Sequence, residues 1–173
     1  MNFIPEKLIN FRVYEDGKDL LGIADVELPS IDAKTDVVKG AGIAGEVDSP
    51  VMGHFGSMNL KLNWRTLAKS TVHLIQQKAH HLDIRGAIQT FDTTSGEYVV
   101  LPVKVVVRCR PKKTGLGKLD SSAVMGTSNE FEVIYINISI SGKSQVEIDK
   151  YNYVCKIDGE DYLAPVRAAL GLN

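Results

Sequence analysis

Cysteine is scarce in this chain, with only Cys109 and Cys155 among 173 residues. A dense disulfide framework is therefore excluded. Both thiols fall within apolar alternation, the usual setting of buried free cysteine. Excess positive charge is also missing, since 20 Lys+Arg stand against 21 Asp+Glu. The chain is thus not of the strongly basic kind that grips nucleic acid through its phosphates. Near-neutrality leaves little self-repulsion, which permits self-association. No apolar run approaches the ~18 residues of a membrane span. The opening MNFIPEKLINF lacks a basic segment ahead of a long apolar stretch. Neither an anchor nor a secretory leader is expected, and the reading is a soluble intracellular protein. With 44% hydrophobic residues, the length suits one globular domain with a real core.

Catalytic signatures are missing too. There is no nucleophile elbow and no pair of carboxylates with supporting glycines. His54, His73, His80 and His81 lack metal-ligand spacing: the adjacent pair would point to opposite sides of a strand, and His73 has no partner four residues away.

The chain does have a period of two. Even positions from Met52 to Trp64 are mostly apolar and odd ones from Ser57 polar, as in a strand with one buried face. Leu101, Val103, Val105, Val107 and Cys109 repeat the pattern. In FEVIYINISISG, Ile134, Ile136, Ile138 and Ile140 share one face. Phe131, Val133, Tyr135, Asn137 and Ser139 form the other, apolar at its start and polar at its end. Such a change suggests a neighbour covering half the strand, either another subunit at an interface or a second internal layer. Turn residues separate the runs at Asp16–Asp19, Asp92–Gly96 and Ser141–Ser144. The parity slips between Val146/Ile148 and Tyr151/Tyr153/Cys155, which places a bulge or bend near Asp149-Lys150. Helical spacing predicts helices over Thr66–Ala79 and Tyr162–Leu170, the second ended by Gly171. Pro29–Pro50 and Pro111–Glu130 read as long loops, and loops of ~20 residues are commonly functional.

The first of these loops contains Gly40-Ala41-Gly42-Ile43-Ala44-Gly45. This matches G-x-G-x-x-G, the dinucleotide-binding turn. That turn needs an apolar strand before it and a helix after it to offer amides to the pyrophosphate. Here a polar segment, Asp32–Lys39, precedes it and Pro50 follows closely. No nucleotide site or other cofactor is expected.

From end to end the chain resembles the major tail tube proteins of contractile-tailed bacteriophages. The resemblance is carried by KGAGIAGEVDSPVMGHFGSMNLKLNW, by SGKSQVEIDKYNYVCKIDGEDYLAPVRAALGL and by the opening MNFIPEKLINFRVYEDG. It departs from the family at Asp158, where Asn is usual, and in the Lys/Gly loop Pro111–Glu130. The resemblance implies one tail-tube domain over residues 1–173, mainly β. The expected architecture is an antiparallel sandwich or small barrel with one flanking helix and a short C-terminal helix. It also implies hexameric rings stacked into a hollow tube whose inner wall is a continuous β-barrel, through which DNA passes without specific binding. Sheath, baseplate and terminator proteins would be partners, with a tape measure protein in the lumen. The subunit would be made in the host cytoplasm and end in the virion tail. Genome-free R-type bacteriocins use related tubes.

The assembly contacts expected from these features lie first in the glycine arm: Val38, Gly40, Gly42, Ile43, Gly45, Val47 and Val51. Lys113 and Gly115 in the second loop come next, then Phe131, Val133 and Tyr135 on the mixed strand face. The competing readings are a nucleotide-binding enzyme and a monomeric binding domain.

Overall fold

A computed structural model describes residues 2–172, and its regular structure is almost entirely antiparallel β. In chain order the elements are β1 (Phe3–Glu15), β2 (Lys18–Asp19), β3 (Ile23–Glu27), β4 (Ala33–Lys39), β5 (Glu46–Phe55), β6 (Asn59–Trp64) and α1 (Lys69–His73). They continue with β7 (His80–Asp92), β8 (Tyr98–Gly115), β9 (Ser128–Ile140), β10 (Lys143–Asp149), β11 (Val154–Ile157), β12 (Glu160–Asp161) and α2 (Ala164–Ala169). Ten strands make one sheet in the order β12-β11-β10-β9-β8-β7-β1-β2, with β6 joined to β9 and β3 to β6. β4 and β5 form a separate two-stranded sheet.

β9 is the branch point. Its first half pairs with β6 and its second half with β10. Met58, Leu60, Leu62 and Trp64 thereby enter one buried cluster with Val13 of β1, Leu82 and Ile84 of β7, and Val105, Val107 and Cys109 of β8. The expected class holds: mainly antiparallel β around one core, with two short helices. Three two-residue turns, Asp16-Gly17, Ser141-Gly142 and Asp158-Gly159, have positive φ at both positions. That is the mirror-image turn whose twist matches the flanking strands.

Three expectations need correction and a fourth is sharpened. β9 does not keep one parity: Arg108 pairs with Tyr135 but Cys109 with Val133, leaving Ile134 as a bulge. The extra residue swaps faces, so Phe131 and Val133 point into the core before it and Ile136 after it. The bulge or bend expected near Asp149-Lys150 is at that place but sharper, a full chain reversal, because Asp149 pairs directly with Val154 across a turn that puts Tyr153 at φ 51°. The alternation from Met52 to Trp64 spans two strands: Met58 and the even residues of β6 are fully buried in the core, whereas from β5 it is the odd-numbered Phe55 that packs against it. The helix expected over Thr66–Ala79 shrinks to α1. Ala68 offers no capping side chain. The chain then tightens into i→i+3 bonds, Ile75 N–H to Val72 O and Gln76 N–H to His73 O, while fully buried Leu74 pins the segment to the core.

The two long loops are also more ordered than their composition implies. Within Pro29–Pro50 lies most of the β4–β5 hairpin, and Pro111–Gly115 and Ser128–Glu130 are strand. The remainder of the second loop is closed by Lys118 N–H to Met125 O (2.8 Å) and Thr127 Oγ1 to Leu116 O (3.0 Å).

Candidate assembly surfaces

The β4–β5 hairpin is an arm. Its register runs from Thr35↔Pro50 through Val38↔Val47 to Lys39↔Glu46, and Gly40–Gly45 form its tip. Gly40, Gly42 and Gly45 sit at φ 120°, 91° and 126°, conformations that side chains rarely adopt. Ile43 N–H closes the tip onto Gly40 O at 3.2 Å. Every β4 residue is exposed, and Val37, Val38, Ile43, Val47, Val51 and Met52 present apolar surface to solvent. An isolated two-stranded hairpin is marginal in water at best. This one makes its extensive contacts only between its own strands.

Its base, by contrast, is fixed. Gly53, at φ 71°, packs against Leu163 just ahead of α2. Gly56 donates its N–H to Asp32 O (2.9 Å) and accepts from Lys150 Nζ (2.7 Å). Ser57 and the Met58 amide both bond the Glu132 carboxylate. The arm thus leaves a rigid footing with its tip unsupported.

A ledge forms a second surface. β1 pairs with β7 along one side, but β2 covers its other side only at Tyr14 and Glu15. β8 pairs with β7 from Tyr98 onward, whereas β9 joins it only from Val103. The ledge therefore has open edges on both flanks, with Phe3, Ile4, Leu8, Ile9, Tyr98, Val99 and Val100 exposed along them. Long apolar edges of this kind are templates for pairing with another chain.

The third surface is the sheet face turned away from the core, which registers into cross-strand rows. One row runs His81–Arg108–Tyr135–Asp149, the next Tyr14–Asp83–Val106–Asn137–Glu147, and the third Arg12–Arg85–Lys104–Ser139–Ser144. Arg108 stacks on the Tyr135 ring at 4.6 Å and reaches Asp149 at 3.9 Å. Arg85 stacks on Tyr14 at 5.3 Å and binds Asp83 at 2.9 Å, with Lys104 3.6 Å from the same carboxylate oxygen. Arg12 pairs with Asp19.

The arm thus brings together Val38, Gly40, Gly42, Ile43, Gly45, Val47 and Val51. Lys113 and Gly115 are elsewhere, paired in the sheet with Glu130 and Ser128. Phe131 and Val133 are fully buried in the subunit's own core, so neither offers surface to a neighbour. Tyr135, beyond the bulge, lies on the polar face. The sequence reading missed the ledge edges, Gly53 and the charged rows. Alternation does signal the rows, but the register that aligns Arg12, Arg85 and Lys104 is not local information. It also treated His80 as scattered, yet His80 is buried with Nδ1 2.7 Å from Glu15 Oε1 and Nε2 2.9 Å from Gln76 O. That contact ties the segment after α1 to the sheet.

A mainly β subunit with open sheet edges, an exposed arm and a polar sheet face carries several surfaces suited to packing against another chain. The chain matches the family described as Phage tail tube protein FII over residues 5–171, and it belongs to that family. It is 31% identical to the tail tube protein of Escherichia phage P2, covering 98% of this chain and 99% of that one. It is 27% identical to the major tail tube protein of Serratia phage KSP20, covering 98% of each. Among solved structures it shares its fold with the sheath/tube terminator of an extracellular contractile injection system in the extended state. That likeness has a TM-score of 0.52 at 15% identity, covering 78% of this chain and 96% of that one. The chain is accordingly a phage tail tube protein, a structural subunit and not an enzyme.

Proposed function

We propose that the subunit assembles with copies of itself into hexameric rings stacked as a hollow tube, a conduit through which DNA passes into the host. The polar face of β1, β7, β8, β9 and β10 turns inward as the bore. The β4–β5 arm crosses to an adjacent subunit or ring, where its valines become buried. The observation that carries this reading is the arm itself, a hairpin exposed on both faces above an anchored base. A segment of that kind gains its stability from a neighbour and loses its ordering entropy on assembly. Closing open edges against the next copy also removes a standing aggregation hazard.

Around this tube a contractile sheath, a baseplate and a tail terminator are the expected partners, with a tape measure protein in the lumen. The subunit is made in the host cytoplasm and ends in the virion tail. A genome-free injection tube is the second reading, favoured by the likeness to an extracellular contractile injection system component. The test of assembly is sedimentation and negative-stain microscopy of Val38→Asp/Val47→Asp beside the unaltered chain. A folded variant that no longer forms rings or tubes supports the arm's role, and one that assembles as well as the parent refutes it.

A further inference from the structure

Arg12, Arg85 and Lys104 lie directly opposite one another across β1, β7 and β8. Three cations in one cross-strand row repel each other and are unfavourable unless compensated. Left bare, such a row is also a ready binding site for the phosphates of a polyanion. In this chain it is not bare. Asp19 takes Arg12, and Asp83, one row away, takes both Arg85 and Lys104. Arg108 in the first row faces Asp149. Each cation in these rows therefore has an acid within 4 Å.

Stability is a weak reason for these acids, since exposed ion pairs contribute little to folding. Asp83 makes the point sharply. Its Oδ2 holds both cations, while its Oδ1 is buried with no hydrogen-bond partner among the described residues. An unmade bond at a buried acceptor is a cost. The chain tolerates that cost at the one carboxylate that neutralises the centre of the row.

We propose that Asp83 and Asp19 mask a cationic row that would otherwise hold a polyanion, that Asp149 does the same for Arg108 on the same face, and that the masking makes this face a surface over which duplex nucleic acid slides. The inference rests on the reading that the polar face lines the bore. The masking itself is a property of the isolated subunit and is testable there.

The test is fluorescence anisotropy of the full-length subunit with a short labelled DNA duplex, at low and at physiological salt. Asp83→Asn should bind about tenfold more tightly than the unaltered chain at low salt. The gain should fall with salt at a log–log slope of about two, as two unmasked cations imply. Asp83→Asn/Arg85→Gln should lose most of the gain. Asp149→Asn, which unmasks Arg108 independently, should gain affinity should the Asp83 variant fold poorly. Unchanged affinity in folded Asp83→Asn or Asp149→Asn overturns the masking, as does unaltered protein that already binds through Arg85 and Lys104. The bore assignment is tested separately, with Ser139→Cys in assembled tubes and a maleimide carried on a bulky protein. Protection relative to the dissociated subunit supports an inward face. Equal labelling places the face outside and removes the sliding role while leaving the masking result intact.

Discussion

Gly53 lies so close to Leu163 that a Cβ at position 53 would be 2.3 Å from Leu163 Cδ2. Leu163 is itself almost fully buried, so it has nowhere to retreat. The backbone at Gly53 also has φ 71°. Strain and overlap therefore add at the footing of the arm. Gly53→Ala should destabilise the subunit by about 2–5 kcal/mol in urea unfolding, an overpacking cost of about 1–3 kcal/mol added to a left-handed backbone penalty of about 1–2 kcal/mol. Gly42→Ala at the tip meets no atom within 4 Å, so it should cost only the left-handed backbone penalty of about 1–2 kcal/mol. Equal costs at the two sites would mean that the footing is not tightly packed.

Phe131 distinguishes a core from an interface. Because the side chain is fully buried within the subunit, Phe131→Ala should leave a cavity and cost about 3–5 kcal/mol. The loss should appear in the unfolding of the unassembled protein. A variant with parental subunit stability and impaired assembly would restore Phe131 to the contact surface.

Cys109 is buried with its thiol against the His80 carbonyl, and burial pushes that thiol up to about 12, with the nearby Glu15 adding to the rise. Almost no thiolate exists at neutral pH, and the thiolate is the reactive form. Cys109 should therefore stay unmodified by maleimide in the native state, and burial raises the Cys155 thiol as well. Mass spectrometry after short exposure should find neither adduct until denaturant is added. Rapid native labelling of Cys109 would contradict its placement in the core.

The junction between β12 and α2 should be acid-sensitive. The Arg167 guanidinium bonds Asp161 and holds its carboxyl below the ordinary 3.8, aided by the Leu163 amide. The folded state thus binds fewer protons here than the unfolded chain in that range. The contribution is complete above the ordinary carboxylate value and is lost as pH falls through the lowered one. Asp161→Asn should therefore reduce stability near neutrality and flatten its decline below about pH 4. An unchanged pH profile would show that the pair contributes nothing.

Much of the strand pattern was legible because alternation and turn chemistry are local. Asp16-Gly17 and Ser141-Gly142 mark their hairpins, and Val105, Val107 and Cys109 mark a buried face. What was not legible depends on partners. The bulge at Ile134 is fixed by the register of β8 on β9, and it reverses the meaning of every residue around it. α1 shortened because Leu74 and the His80–Gln76 contact outweigh helical spacing. The arm has the sequence of a loop because a hairpin without a buried face shows no hydrophobic period, although its glycines mark the tip. The masking of Arg85 by Asp83 joins residues only two apart, yet its significance comes from Arg12 and Lys104 on neighbouring strands.

The most direct test of the central claim is cryo-electron microscopy of tubes grown from the purified subunit, nucleated with its baseplate partners where needed. Stacked hexameric rings are expected, with the β4–β5 arm ordered against another subunit and Val38 and Val47 buried there. A subunit that remains a strict monomer with sheath and baseplate proteins present would contradict the claim, and so would a tube in which the arm touches no neighbour.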